Sequence, residues 1–161
     1  MKKKYFPCLT ALLFLVLACK EKQEIPKPND ESALFKSYVE ELSGKEVFQN
    51  EGMVILLSKY SCNSCNKIIL KHLSQKGSNQ NIKLVFTGFN PTELAHLASE
   101  SDLNTSGYFI DSLELASLKG LSVENSMYFV KRKDGSEYLE SINPNLNLSE
   151  VLEWIDTLSS R

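Results

Sequence analysis

The sequence predicts an α/β domain, a three-layer sandwich whose mixed central sheet carries helices on both faces. Three observations predict it. Segments of helical and strand periodicity alternate from about residue 31 onward. Met53 to Leu57 is an unbroken apolar run of the kind buried in a parallel sheet, and Asp134-Gly135 near the end turns one strand back on another. Parallel strands need helical crossovers, and a hairpin adds an antiparallel pair, so the sheet is mixed and covered on both sides.

The elements follow in order. Leu34, Phe35, Tyr38, Val39 and Leu42 recur at helical spacing and Gly44 closes that helix. After the Met53 to Leu57 strand comes a helix whose buried side is assigned to Ile68, Ile69 and Leu73 and which ends near Gly77. Ile82 to Phe86 is a second strand. Asn90-Pro91-Thr92-Glu93 combines an N-cap, a proline at the first helical position and a glutamate three residues after the cap, and Leu94, Leu97 and Ala98 form the core face of the helix it starts. Tyr108 to Ile110 is a short strand and Leu113 to Leu118 a helical turn or two. Met127 to Lys131 pairs through the hairpin with Glu137 to Ile142. A last helix starts at about Leu148, with Val151, Leu152, Ile155 and Leu158 on one face and Asn147 and Glu150 spaced as a capping pair. Phe86, Phe109, Phe129 and Trp154 fall on core positions, and Phe89-Asn90 follows a strand end, where open α/β sheets bind ligands.

Upstream of this domain the composition changes twice. Lys2, Lys3 and Lys4 precede a mostly apolar stretch from Tyr5 to Leu17, the layout of an export signal and too short for the roughly 20 residues of a membrane span. Its end, Leu15-Val16-Leu17-Ala18-Cys19, resembles the lipobox of bacterial lipoproteins. That resemblance implies a signal over residues 1–18, cleavage before Cys19 and a lipid on its sulfur; an ordinary signal peptide cut nearby is the alternative. Residues 19–30, rich in Lys, Glu, Gln, Pro and Asn, are a flexible tether, leaving residues 31–161 as one domain with one core.

The signal holds three of the 18 basic residues and none of the 20 acidic ones, so its removal makes the chain more acidic than the formal −2 of the whole. Nucleic-acid binding is excluded on that balance. The dense basic run Lys131-Arg132-Lys133 sits directly before Asp134-Gly135 and is a solvated hairpin tip. With Cys8 discarded and Cys19 lipidated, Cys62 and Cys65 are the two cysteines left, an even pair in a compartment where disulfides persist.

Those two carry the chemistry. The apolar strand breaks into Cys62-Asn63-Ser64-Cys65, which opens a helix. A cysteine at a helix N-terminus faces unpaired N–H groups and the positive end of the helix dipole, which lowers its pKa below the free value of about 8.5. Cys62 is therefore the nucleophile and Cys65, one turn further in, the resolving thiol that closes an internal disulfide and releases a trapped partner. Lys59, Tyr60, Asn63 and Ser64 flank the pair as candidate site-lining residues. Lys59 lowers the pKa of Cys62 if it folds over the motif, whereas a solvated lysine does not.

Two bland readings stand beside the redox one. A structural disulfide across four residues contributes only about 2 kcal/mol in the chain-entropy model, against nearly 5 for a hundred-residue loop. A metal site would need His72 or His96. His72 lies about 10 Å along the same helix from Cys65, out of reach of a shared metal, and His96 belongs to another helix and is a surface residue, so no metal ligands are assigned.

From about Glu46 to Ser159 the chain resembles the thioredoxin-like fold, and within it the TlpA/ResA-type redoxins of bacterial envelopes. Three stretches carry the likeness: Val54 to Cys65 as strand and redox motif; Gly107-Tyr108-Phe109-Ile110-Asp111 as an inserted strand ending in aspartate; and Gly120-Leu121-Ser122-Val123 leading to Tyr128-Phe129-Val130 and Asp134-Gly135. The resemblance implies that Cys62 attacks a disulfide and Cys65 resolves, with no bound cofactor. It also implies that the loop before Met127, at Asn125 and Ser126, faces the redox pair. There the family has a cis-proline and this chain has Ser126 or Asn125. A cis bond before another residue type costs about 2.5 to 4 kcal/mol, so this loop is expected to be trans and shaped differently. The family's Trp before the first cysteine is replaced by Tyr60-Ser61, its proline five residues after the second by Leu70, and the buried carboxylate six residues before the first by Leu56. Cys65 therefore lacks a local proton acceptor.

The sequence thus predicts a lipid-anchored thiol–disulfide oxidoreductase of the bacterial envelope, taking electrons from a membrane redox partner to protein disulfides. Lys20 after the lipidated cysteine favours the outer over the inner membrane by lipoprotein sorting rules, with the domain facing the periplasm. The competing reading is a non-catalytic lipoprotein whose thioredoxin-like surface holds a partner, and a third, less favoured, is a metal binder in the manner of copper chaperones.

Overall fold

A computed structural model describes residues 28–44, 51–77, 79–101, 103 and 108–160. The signal, Cys19 and nearly all of the tether lie outside these residues. Among the described residues five strands and five helices follow in the order α1 (Pro28–Ser43), β1 (Gly52–Ser58), α2 (Asn63–Lys76), β2 (Ile82–Thr87), α3 (Pro91–Glu100), β3 (Tyr108–Asp111), α4 (Leu115–Leu118), β4 (Met127–Lys131), β5 (Glu137–Ser141) and α5 (Leu148–Ser159). Helix α1 starts three residues inside the segment assigned to the tether, with Pro28 in its first turn, where a missing N–H costs nothing.

The strands form one sheet in the order β3-β2-β1-β4-β5. β1, β2 and β3 are parallel, while β4 and β5 run antiparallel to their neighbours. The two parallel crossovers, β1 to β2 and β2 to β3, step the same way along the sheet. Right-handed connection therefore puts both crossover helices, α2 and α3, on one face. The core agrees. Ile69, Leu70 and Leu73 of α2, Leu94 and Leu97 of α3, and Val151, Ile155 and Leu158 of α5 pack on Met53, Ile55, Leu57, Phe86, Tyr128 and Val130. Phe35, Tyr38 and Val39 of α1 and Ala116 of α4 pack on the other face, against Val54, Leu56, Val85 and Phe129. Alternate strand residues feed opposite cores, as the period of two requires. This order, with the Cys-x-x-Cys at the start of the helix after β1, is the thioredoxin-like fold that the resemblance implied.

Several local expectations change. The buried stripe of α2 is Cys65, Asn66, Ile69, Leu70 and Leu73, and Ile68 is exposed. The stripe is rotated because a polar residue, Asn66, occupies a core position. Asn147 occupies the N-cap position of α5 but its side chain makes no capping bond. Its side chain instead accepts from the Asn143 N–H at 2.8 Å and donates to the Ser141 carbonyl at 3.0 Å, closing the loop after β5. Arg132 is not simply solvated at the hairpin tip: its guanidinium lies over the rings of Tyr138 and Trp154, at 5.1 and 5.6 Å, and Trp154 is half-buried beneath it. Phe109 is half-buried because β3 is an edge strand. The capping box at Asn90 and Glu93 is formed in both directions, at 2.9 and 3.0 Å.

Candidate functional site: a dithiol at a helix N-terminus

The parallel strands end at one edge of the sheet, and the motif lies there. β1 stops at Ser58, the Lys59 N–H prolongs the ladder to the Thr87 carbonyl at 3.1 Å, and the Ser61 N–H turns back to the Ser58 carbonyl. Cys62 is the N-cap of α2, its carbonyl accepting the first helical bond from the Asn66 N–H at 3.1 Å. Its sulfur takes the place of a capping oxygen, accepting from the Cys65 N–H at 3.4 Å, and the Ser64 hydroxyl lies 3.1 Å away.

Both cysteines are free thiols, and their surroundings differ. The Cys62 sulfur is partly exposed and its pKa is lowered, first by the hydrogen bond from the Cys65 side chain, then by Ser64, then by the Cys65 backbone N–H. Cys65 is buried, and burial foremost pushes its thiol up to about 11. The sulfur with the lowered pKa faces outward, and the Cys65 thiol behind it, kept protonated chiefly by burial, donates to it.

The flanking residues divide into those that touch this pair and those that do not. Ser64 touches it and Asn63 is exposed beside it. Lys59 does not fold over the motif: its ammonium pairs with Glu93 at 2.7 Å, because the capping box that starts α3 holds a carboxylate within its reach. Tyr60 is 60% exposed and lies against Gly88, whose φ of +79° favours glycine; a Cβ there would also come within 2.8 Å of the Tyr60 ring and displace it. Phe89 packs edge-on against Phe86.

Asn125 is exposed, as a site-lining residue would be, but Ser126 is wholly buried and does not line the surface. It lies beneath the motif. The β1–β4 register ends at Leu56↔Met127, short of the end of β1. Beyond it the Ser58 N–H donates to Ser126 Oγ at 3.0 Å, Ser126 Oγ donates to Asn66 Oδ1 at 2.9 Å, and Asn66 Nδ2 donates to the Ser58 carbonyl at 2.9 Å. The Ser58 hydroxyl also donates to the Val123 carbonyl. No cis peptide bond occurs among the described residues. Sequence reasoning missed Ser58 and Asn66; the signal was a polar residue inside each of two otherwise apolar buried patterns.

Leu56 is buried where the thioredoxin carboxylate would stand. A buried carboxylate does exist two strands away. Asp111 accepts from the N–H groups of Leu115 and Ala116 at 2.7 and 2.9 Å, from Tyr38 Oη at 3.2 Å and from Thr87 Oγ1 at 3.3 Å. Four donors commit it to holding α4 and α1 on the sheet. Its contacts lie in the α1 and α4 layer, across the sheet from α2.

Among the described residues no three His, Cys, Asp or Glu side chains stand close enough to hold a metal ion. His72 pairs with Asp156 of α5 at 2.8 Å, and His96 is exposed near Glu100. Nor is any described helix long and apolar enough to cross a membrane.

Fold and site together define a thioredoxin-like domain with a vicinal dithiol at the N-terminus of α2. Among solved structures the chain is similar to a secreted Mycobacterium tuberculosis disulfide oxidoreductase homologous to E. coli DsbE, at 16% identity over 68% of this chain and 82% of that one, with a TM-score of 0.49. It is also similar to Mycobacterium tuberculosis AhpC, at 15% identity over 71% and 72% of the two chains, with a TM-score of 0.41. No protein-family model and no curated protein matches it. At these identities the likenesses concern the fold and carry no function across.

Proposed function

We propose that the chain is a lipid-anchored thiol–disulfide oxidoreductase of the bacterial envelope, with Cys62 as nucleophile and Cys65 as resolving thiol. The observation that carries this reading is the opposite displacement of the two thiols, Cys62 lowered and partly exposed, Cys65 raised and buried, one helical turn apart. The Cys62 thiolate attacks one sulfur of a protein disulfide, forming a mixed disulfide and expelling the other sulfur as a thiolate that takes a proton from water. Cys65 then gives its proton to water and attacks Cys62, closing the internal disulfide and expelling the second substrate thiolate. Two electrons pass to the substrate, and a membrane dithiol partner restores the pair. The anchor is the lipid on Cys19, and Lys20 beside it favours the outer membrane, the domain facing the periplasm.

A second reading has one observation in its favour. Leu56 is buried where a carboxylate would serve Cys65, and among the described residues no acid acts on that thiol, which suits a non-catalytic module that binds a partner at the same edge. One experiment separates the two: redox titration of a soluble form from Lys20 onward, with thiol alkylation across dithiothreitol buffers and insulin reduction by wild type, Cys62→Ser and Cys65→Ser. A reversible two-electron transition, turnover lost in both variants and mixed disulfide accumulating in Cys65→Ser are expected. A pair that does not cycle, or turnover indifferent to both cysteines, overturns the oxidoreductase.

A further inference from the structure

The buried triangle of Ser58, Asn66 and Ser126 joins the three segments that frame the dithiol. Ser58 ends the strand that leads into the motif, Asn66 follows Cys65 on α2, and Ser126 precedes β4. All three are buried and each pair is bonded, at 3.0, 2.9 and 2.9 Å. Most core contacts of α2 are apolar and non-directional; this one is directional, so it sets where the first turn of the helix sits along the strand end and not merely that it is covered.

The serine also does something backbone pairing would not. With the β1–β4 ladder ending at Leu56↔Met127, a backbone partner for the Ser58 N–H would require β4 to continue straight back along β1. A side-chain oxygen satisfies the same donor while the main chain at Glu124 and Asn125 bends away. The Ser58 hydroxyl, donating to the Val123 carbonyl, holds the far side of that bend. Loop and helix are thereby registered to each other through Asn66.

We propose that Ser126 and Asn66 form a positioning pair for the resolving step, locking the loop before β4 to the turn of α2 that carries Cys65. Neither touches the substrate; they act through Cys65, keeping its sulfur covered and directed at Cys62. This role rests on the oxidoreductase reading for its kinetic consequence, but not for its structural one, and the test uses both.

In reduced wild type, buried Cys65 should be alkylated far more slowly than partly exposed Cys62. Ser126→Ala should raise Cys65 alkylation by tenfold or more while changing that of Cys62 less than twofold. It should also slow resolution of a preformed mixed disulfide on Cys62 by about tenfold, lowering kcat for insulin reduction with KM little changed. Ser126→Thr, which keeps the hydroxyl, should restore both. Should Ser126→Ala fail to fold, Ser126→Ala/Asn66→Leu removes the lock together with its polar partner; it strands the Ser58 N–H but no longer the Asn66 amide oxygen, so it leaves fewer buried groups unpaired than Ser126→Ala alone. It should show the same loss of Cys65 protection. Protection and resolution unchanged in a folded variant, or equal exposure of both cysteines, overturns the lock. Wild type that shows the protection difference yet never reduces insulin overturns the oxidoreductase and leaves the lock standing as a structural device.

Discussion

The Ser64 hydroxyl stands 3.1 Å from the Cys62 sulfur, inside the same first turn of α2 that points the Cys65 N–H at it. When Cys62 is a thiolate this hydroxyl is a donor to a charged acceptor, a stronger bond than one between neutral groups. Ser64→Ala removes it and shifts the Cys62 pKa upward, so a smaller thiolate fraction is present at pH 7. We expect iodoacetamide alkylation of Cys62, measured across pH in a Cys65→Ser background, to slow by about threefold at pH 7. Its midpoint should move to higher pH, and an unmoved midpoint would remove Ser64 from the site.

Cys65 gives the opposite pH dependence. Burial holds its thiol protonated up to about 11, so its reactive thiolate grows with every unit of pH through the neutral range. In a mixed disulfide the Cys62 hydrogen bond and charge no longer raise Cys65, but burial, the foremost cause, remains, so resolution should still accelerate steadily with pH between about 7 and 9. Folding stability has the matching sign. The unfolded thiol ionises above about 8.5 while the folded one does not, so this group adds no pH dependence below that value and destabilises the reduced chain as pH rises towards 11. A resolution rate flat across pH 7 to 9 would mean that a proton acceptor serves Cys65 after all.

Lys59 is adjacent to the motif yet engaged elsewhere, with Glu93 at 2.7 Å. Lys59→Ala should therefore leave the pH profile of Cys62 alkylation unchanged, within twofold in rate at any pH. A rise in the Cys62 midpoint comparable with that of Ser64→Ala would show that the ammonium acts on the sulfur.

Asp111 should matter for stability and not for thiol chemistry. Asp111→Ala leaves the Tyr38 and Thr87 hydroxyls and two N–H groups without their acceptor in a buried place. At about 1 to 3 kcal/mol for each stranded group, partly relieved by rearrangement, urea unfolding should show a loss of at least about 3 kcal/mol. Burial, followed by the charge of Asp111, raises the pKa of Tyr38, which keeps that hydroxyl a donor at all ordinary pH. A loss under about 1 kcal/mol would mean the carboxylate is dispensable to the packing of α1 and α4.

Local interactions account for what was legible in the chain. The strand running into Cys-x-x-Cys, the Asn90 capping box and the Asp134-Gly135 hairpin are each set within a few residues, so pattern and spacing identify them, and their order implies the mixed sheet. Patterns failed where a distant partner decided. The apolar pattern turns Ile68 inward, whereas Ser126, 60 residues on, bonds the Asn66 amide and draws that residue in instead. Asn147 has the spacing of a cap but spends its side chain on the preceding loop.

The sequence by itself determined the fold class and the identity of the two thiols, because periodicity, turn residues and a cysteine pair at a helix start are properties of neighbouring residues. Tertiary structure alone decided which residues serve those thiols. Lys59 turns to Glu93, 34 residues away, Ser126 goes beneath the motif rather than over it, and Asn66 is drawn into the core. The physical reason is that a buried polar group must find its partner, and an exposed ammonium meets its carboxylate, wherever the packed chain brings one, and no spacing rule encodes that meeting.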